Sequence, residues 1–282
     1  MIKLGDVEIH RIVEHDIPVY APTDMFDEAT PEALQPYLDW LVPRAICPDS
    51  GCLVMPVLSY LVRTRHHNIL MDTCCGHEKT YAEPRAWHQP SNAAWLQRLH
   101  ATGVTPEQID YVFCTHLHSD HVGWNTRLID GRWVPTFPNA TYVFARDEVN
   151  VTEAEERLIY SENVLPIIEA KQALLVDTDY ALDDQVWLEP TIGHTAGHVA
   201  IHFKSGPDRA VMCGDLIHSP LQLAEPDWSC NSDFDLELSV ATRRAFLDKY
   251  CDTESLVMTA HFPLPSVGRI IAGRFLYDFE YL

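Results

Sequence analysis

Thr115-His116-Leu117-His118-Ser119-Asp120-His121 sets three histidines and an aspartate within six positions, directly behind the apolar run Tyr111-Val112-Phe113-Cys114. The apolar run reads as a buried strand. In an extended chain, side chains at i and i+2 point the same way, so His116 and His118 face one side together. A turn after them brings Asp120 and His121 to a second point nearby. Neutral imidazole and carboxylate suit Zn²⁺, and also Mn²⁺ or Fe²⁺. A solvated surface cluster explains a lone histidine well, but not four donors in an H-x-H-x-D-H spacing.

At 282 residues, 46% apolar and 22% charged, the chain has the composition of an ordinary globular protein with ample length for a core. No low-complexity linker or repeat marks a boundary, so a single domain over 1–282 is expected. Twenty basic against 41 acidic residues give a net charge of −21, which argues against nucleic acid as partner. The start Met1-Ile2-Lys3-Leu4-Gly5-Asp6 has no signal pattern and no run approaches 18 apolar residues. The expected location is the cytoplasm, with no membrane partner. Eight cysteines without framework spacing read as reduced and mostly buried.

Val7 to Val13 alternates and predicts an edge strand. Residues 15–50, rich in Pro, Asp and aromatics, read as a lid, a dimer arm or a plain surface loop. Within them Thr30-Pro31-Glu32 looks like a capped helix start. Val54–Val62 and Asn68–Asp72 predict an antiparallel hairpin. Ser91 to Leu99 predicts a capped helix that stops at Gly103, and Thr105-Pro106-Glu107 a short helical turn. Strand, helix and strand then lead into the metal motif, so its donors sit at the C-terminal end of a strand. Thr141–Ala145 predicts a further strand, Arg146–Leu165 one or two surface helices, and Asp235–Tyr250 an amphipathic helix.

The second half adds donors, each behind an apolar run. Gly193-His194-Thr195-Ala196-Gly197-His198 follows Val186–Leu188, Asp215 follows Ala210–Met212, and His261 follows Leu256–Met258. Together with the first motif they are enough for two metal sites. Spacing does not choose between His194 and His198.

In this order, His116-x-His118-x-Asp120-His121, Gly193-His194-Thr195, Asp215 and His261 resemble the metallo-β-lactamase-fold hydrolases. The resemblance implies an α/β fold: a four-layer αβ/βα sandwich of two mixed sheets with helices on the outer faces. It implies two divalent ions per chain, in the first instance zinc, with Mn²⁺, Fe²⁺ or Co²⁺ as substitutes. His116, His118 and His194 would hold one ion, Asp120, His121 and His261 the other, with Asp215 bridging. It selects His194 over His198, and makes Asp72 a brace that does not bind metal. A hydroxide shared by the ions would attack the substrate, with Asp120 orienting it.

Within that superfamily the wording of His121-Val122-Gly123-Trp124-Asn125, Trp133 to Asn139 and Gly214 to Gln222 is similar to the quorum-quenching lactonases and methyl parathion hydrolases. The implied activity is hydrolysis of a small neutral lactone or ester, most concretely an N-acyl homoserine lactone. Organophosphate or aryl-ester hydrolysis and glyoxalase II-like thioester hydrolysis are the alternatives. An iron-dependent redox or non-catalytic metal-binding member is the reading from a different class. His218 is the candidate acid for the leaving alkoxide, at a position where similar lactonases carry Tyr. Trp124, Phe137, Leu221 and Trp228 are candidate cleft walls, with simple packing as the competing reading. The group resemblance and the 15–50 segment suggest a homodimer.

Overall fold

Eight consecutive residues, Met55 to Val62, are buried along one strand, the signature of a strand covered on both faces. The computed structural model describes residues 1–80 and 94–282; the predicted cap at Ser91 lies outside them. The chain forms two units, Met1–His15 with Val57–Tyr180 and Asp16–Pro56 with Ala181–Leu282. Both are discontinuous in sequence, where composition marked no boundary.

The first unit is built on β1 (Ile2–Leu4), β2 (Val7–Pro18), β3 (Val54–Arg63), β4 (Asn68–Met71), β5 (Tyr111–Phe113), the hairpin β6 (Thr126–Ile129) and β7 (Arg132–Pro135), β8 (Thr141–Ala145) and β9 (Ala173–Val176). Seven of these form one sheet in the order β1-β2-β3-β4-β5-β8-β9. The predicted hairpin is present, with β3 and β4 antiparallel and Tyr60 opposite Met71. From β4 through β9 the neighbours are parallel. The helix Ala94–Ala101 and the turn Pro106–Gln108 lie between β4 and β5. β2 is not the edge, because the chain reverses at Gly5-Asp6 and Leu4 pairs with Val7. The stretch predicted as surface helices is broken into Arg146–Glu155, Arg157–Ile159, a π-turn at Tyr160–Val164 and Leu165–Glu169. It buries Ile159, Glu162, Asn163 and Val164.

Glu14, on β2, is buried in this unit and accepts hydrogen bonds from Cys75 N and Trp124 Nε1, both at 2.7 Å. Burial raises its carboxyl to about 7, against the opposing pull of those donors. A folded-state value above the unfolded 4.5 gives stability that is complete below pH 4.5 and lost as pH rises through about 7. Over that window the loss is up to about 3 kcal/mol. Urea unfolding of the metal-free protein at pH 5 and pH 8 should therefore show a steeper fall for the wild type than for Glu14→Gln. Parallel pH dependences would refute the assignment.

The second unit carries β10 (Val186–Pro190), β11 (Val199–Ser205), β12 (Asp208–Met212), β13 (Leu256–Met258), β14 (Val267–Ala272) and β15 (Tyr277–Tyr281), hydrogen-bonded in that order. Only the β12–β13 pair is parallel, and the helix Leu236–Tyr250 lies between those two strands. Asp235 caps the helix by accepting from Leu238 N at 3.0 Å. Phe246, Leu247 and Tyr250 pack with Val211, Val257 and Ile270. The segment 15–50 includes short helices at Pro22–Met25, Pro31–Leu34, Gln35–Tyr37 and Leu38–Leu41, with Thr30 accepting from Ala33 N at 3.2 Å at the predicted start. Met25, Phe26, Leu34 and Leu41 cluster with Leu53, Met55 and Leu221, so the segment supplies core to this unit.

All eight cysteines are free and five are buried. No helix among the described residues is long and apolar enough to cross a membrane.

Candidate metal centre

In the first unit the donors follow β5, but not in extended form. Thr115 and His116 lie in a bend, and Ser119–Val122 is one helical turn. The strand alternation expected for His116 and His118 is replaced by that bend. It still brings His116 Nε2 and His118 Nδ1 to 3.1 Å. Two imidazole nitrogens on one tetrahedral ion, each about 2.0–2.1 Å from it, are separated by roughly 3.4 Å. Asp120 Oδ2 lies 3.5 Å from His121 Nε2.

Asp72 organises this turn. It sits just past β4 at φ 49°, a left-handed conformation that Asp tolerates. Its Oδ1 accepts from Thr115 N at 2.8 Å, and its Oδ2 from the Thr115 hydroxyl and His121 Nδ1, each at 2.8 Å. The Thr115 oxygen is 3.1 Å from His116 Nδ1. With its own proton given to Asp72, that oxygen accepts from Nδ1–H, so His116 and His121 both carry the Nε2 lone pair that a metal needs. The bracing role expected of Asp72 has this physical form.

In the second unit Asp215 is the hub. Its Oδ2 lies 3.5 Å from His194 Nε2 and its Oδ1 3.1 Å from His261 Nε2. One carboxylate thus presents a different oxygen to each histidine. His261 Nδ1 donates to the Pro56 carbonyl at 2.9 Å, an acceptor-only partner that fixes the tautomer. His194 Nδ1 is 2.8 Å from Asp233 Oδ1. Burial lowers the His194 pKa against the pull of Asp233. Burial raises the Asp233 carboxyl, but the hydrogen bond from His194 and the charges of His218 and His194 together outweigh it and hold the group below its usual value.

His198 is committed elsewhere: its Nε2 accepts from Asp215 N at 3.1 Å and its Nδ1 is 2.8 Å from Thr191 Oγ1. It holds the backbone of Asp215. His218 is buried with Nε2 3.4 Å from Asp215 Oδ2. Burial works to lower its pKa, yet the negative charges of the Cys230 sulfur and the Asp215 carboxylate reverse this and leave it well above the ordinary value.

Trp124 is enclosed by packing, its ring 5.4 Å from Trp95 and its N–H on Glu14. Phe137 packs on Trp95 and Tyr142, with ring centroids 6.2 Å apart in both cases, and Leu221 belongs to the second unit's apolar cluster. Of the four candidate walls, Trp228 is half-buried beside Tyr37 and reaches solvent. Asp233, Ser239 and Arg243 carry no sequence signal for the site, since the ties that lead to it, from Asp233 to His194 and from Arg243 to Leu216, span 39 and 27 positions.

The donor chemistry on each unit, imidazoles braced on one nitrogen next to carboxylates, suits divalent metal. Residues 53–255 match the Metallo-beta-lactamase superfamily, and the chain belongs to it. An N-acyl homoserine lactonase of Bacillus cereus is 28% identical over 162 residues, 53% of this chain and 58% of that protein. The chain therefore spans little more than half the length of that curated relative. Among solved structures, the hydrolase AbOPH of the β-lactamase superfamily superposes with a TM-score of 0.83 at 22% identity, covering 100% of this chain and 96% of that one. AidC, a dizinc quorum-quenching lactonase in complex with a product, gives 0.78 at 24% identity with the same coverages. These likenesses agree with the predicted mixed α/β fold.

Proposed function

We propose that this protein is a dinuclear metal hydrolase, zinc-dependent, that opens lactone rings or cleaves carboxylic esters, with N-acyl homoserine lactones as its substrate class. The observation that carries the reading is Asp215, whose two oxygens address two separately braced histidines. In this reading His116, His118 and His194 would hold one ion and Asp120, His121 and His261 the other, with Asp215 shared by both. Family membership and the relatives named as lactonases support it.

Bound ions would polarise the substrate carbonyl and bring the pKa of water down to roughly 7. The chain supplies the rest. Asp120 accepts a hydrogen bond from the attacking water and orients it. Asp72, Asp233 and the Pro56 carbonyl hold His121, His194 and His261 by their Nδ1 protons, so substrate binding requires no tautomer change. His218, beside Asp215, gives its Nε2 proton to the leaving alkoxide oxygen. The net charge of −21 disfavours a polyanionic substrate.

The test is metal content together with turnover on a lactone, an aryl ester, a phosphotriester and a thioester. About two ions per chain with lactone opening is the expected result. Two ions with turnover only on the phosphotriester or thioester would move the substrate class and leave the metal chemistry standing. One ion or none, with no turnover, would overturn the reading.

A further inference from the structure

Helix Leu236–Tyr250 carries a fully buried arginine. Arg243 Nε donates to the Pro226 carbonyl at 2.9 Å, Nη2 to the Trp228 carbonyl at 3.1 Å, and Nη1 to both the Leu216 carbonyl and Ser239 Oγ at 3.3 Å. All four acceptors are neutral. Enclosing a guanidinium without a directly bonded carboxylate is costly, and an apolar side chain of similar volume would fill the space without that cost. What distinguishes arginine is its rigid fork, which ties several loops together at fixed spacing.

Two of those ties lead to the metal centre. Leu216 follows Asp215 directly, so its carbonyl fixes the turn that aims the carboxylate. Ser239 leads to the turn that carries His194. Its backbone lies where a Cβ on Gly193 would stand, 2.5 Å from both N and Cα, so the helix is seated against the turn that carries His194. Its hydroxyl accepts from Arg243 Nη1, and Asp233, on the segment that leads into the helix, accepts from His194 Nδ1 at 2.8 Å. Phe234 N to His194 O and Asp235 N to Gly193 O, each 3.0 Å, fasten the same turn.

We propose that Arg243 is a positioning residue for the metal centre, setting the separation of His194 and Asp215 through Ser239 and the Gly193 turn on one side and the Leu216 carbonyl on the other. The inference rests on the reading of His194 and Asp215 as metal ligands. A helix staple with no bearing on the site would tolerate any change that preserved the fold.

Three variants separate the two roles: Arg243→Lys, which keeps charge without the fork, Arg243→Met, and Ser239→Ala, which removes only the hydroxyl and keeps the Cβ. Zinc affinity is read by chelator competition, and the low-field Nδ1 proton of His194 by NMR in the metal-free protein, assigned by its loss in His194→Gln. Ser239→Ala should melt cooperatively like the wild type, bind zinc about 10-fold more weakly, and shift or broaden the His194 resonance. Folded Arg243→Lys should lose roughly 10- to 100-fold. Should Arg243→Met fail to fold, Ser239→Ala still decides. Wild-type zinc affinity and an unchanged resonance in folded Ser239→Ala and Arg243→Lys would overturn the proposal. A wild type that binds no zinc would overturn the functional reading instead, and the His194 resonance would still test the tie to Arg243.

Discussion

Asp215→Ala should leave a folded protein that holds fewer than one metal ion per chain and hydrolyses its substrate at least about 10³-fold more slowly. That factor is roughly 4 kcal/mol of transition-state stabilisation. The two oxygens of Asp215 face two histidines, at 3.5 and 3.1 Å. Losing the carboxylate therefore removes a ligand from both proposed ions and one of the two negative charges that offset them. His194 and His261 keep their braces, Asp233 and the Pro56 carbonyl, so the histidine positions survive. The surrounding apolar cluster, including Cys213, Leu216 and Val257, makes no use of the carboxylate. The fold should persist for that reason. Asp215→Asn keeps one carbonyl oxygen and should retain a single, weaker ion. Metal analysis after gel filtration, with circular dichroism on the same samples, checks all of this. Two retained ions with wild-type turnover in Asp215→Ala would remove the bridging role and the proposed mechanism with it.

How legible these positions are in the sequence depends on the range of the interactions involved. The His116–His121 motif is legible because its donors are close together and of unmistakable type. His194, Asp215 and His261 are legible because each follows an apolar strand-forming run, and strand ends are where such folds place ligands. The local backbone was less so: His116 lies in a bend where an extended chain was expected, because Asp72 draws Thr115 inward through two hydrogen bonds. Asp72 and its braces span 43 to 49 positions. Arg243 reaches Leu216 across 27 positions and His261 reaches Pro56 across 205. No periodicity encodes contacts of that kind. The packing of the aromatic residues is hidden for a related reason. Trp124 lies in the 3-10 turn Gly123–Asn125, and the buried acceptor that turns its indole inward, Glu14, lies 110 positions earlier. The 15–50 segment reads as irregular because its apolar residues have no single period. They are spread over several four-residue helices, and only the assembled cluster of the second unit gives them a common face.

Gly123→Ala is expected to fail at folding and not at chemistry, which makes it the counterpart of Asp215→Ala. A Cβ on Gly123 would stand 1.9 Å from the Cys75 carbonyl carbon, 2.0 Å from its oxygen and 2.3 Å from Gly76 N. The obstacle is backbone on both sides, so no rotamer change can relieve it. A Cβ on Gly76 would in turn meet the Gly123 carbonyl at 2.5 Å. The two segments are also sewn together: Gly123 N donates to Cys74 O at 2.6 Å, Trp124 N to Thr73 O at 2.8 Å, and Thr73 N to His121 O at 2.7 Å. A methyl group must break part of this ladder, disturbing the Glu14–Cys75 and Glu14–Trp124 bonds and leaving buried polar groups poorly matched. Overpacking with an immovable neighbour, added to lost buried hydrogen bonds, places the expected cost at about 4 kcal/mol or more. Urea unfolding followed by tryptophan fluorescence measures it, since Trp95 and Trp124 stack at this junction. Any residual folded fraction should also bind metal weakly, because the displaced segment carries His121. A Gly123→Ala protein that unfolded within about 1 kcal/mol of the wild type would show that the two backbones separate readily, and that this junction does not hold the metal turn in place.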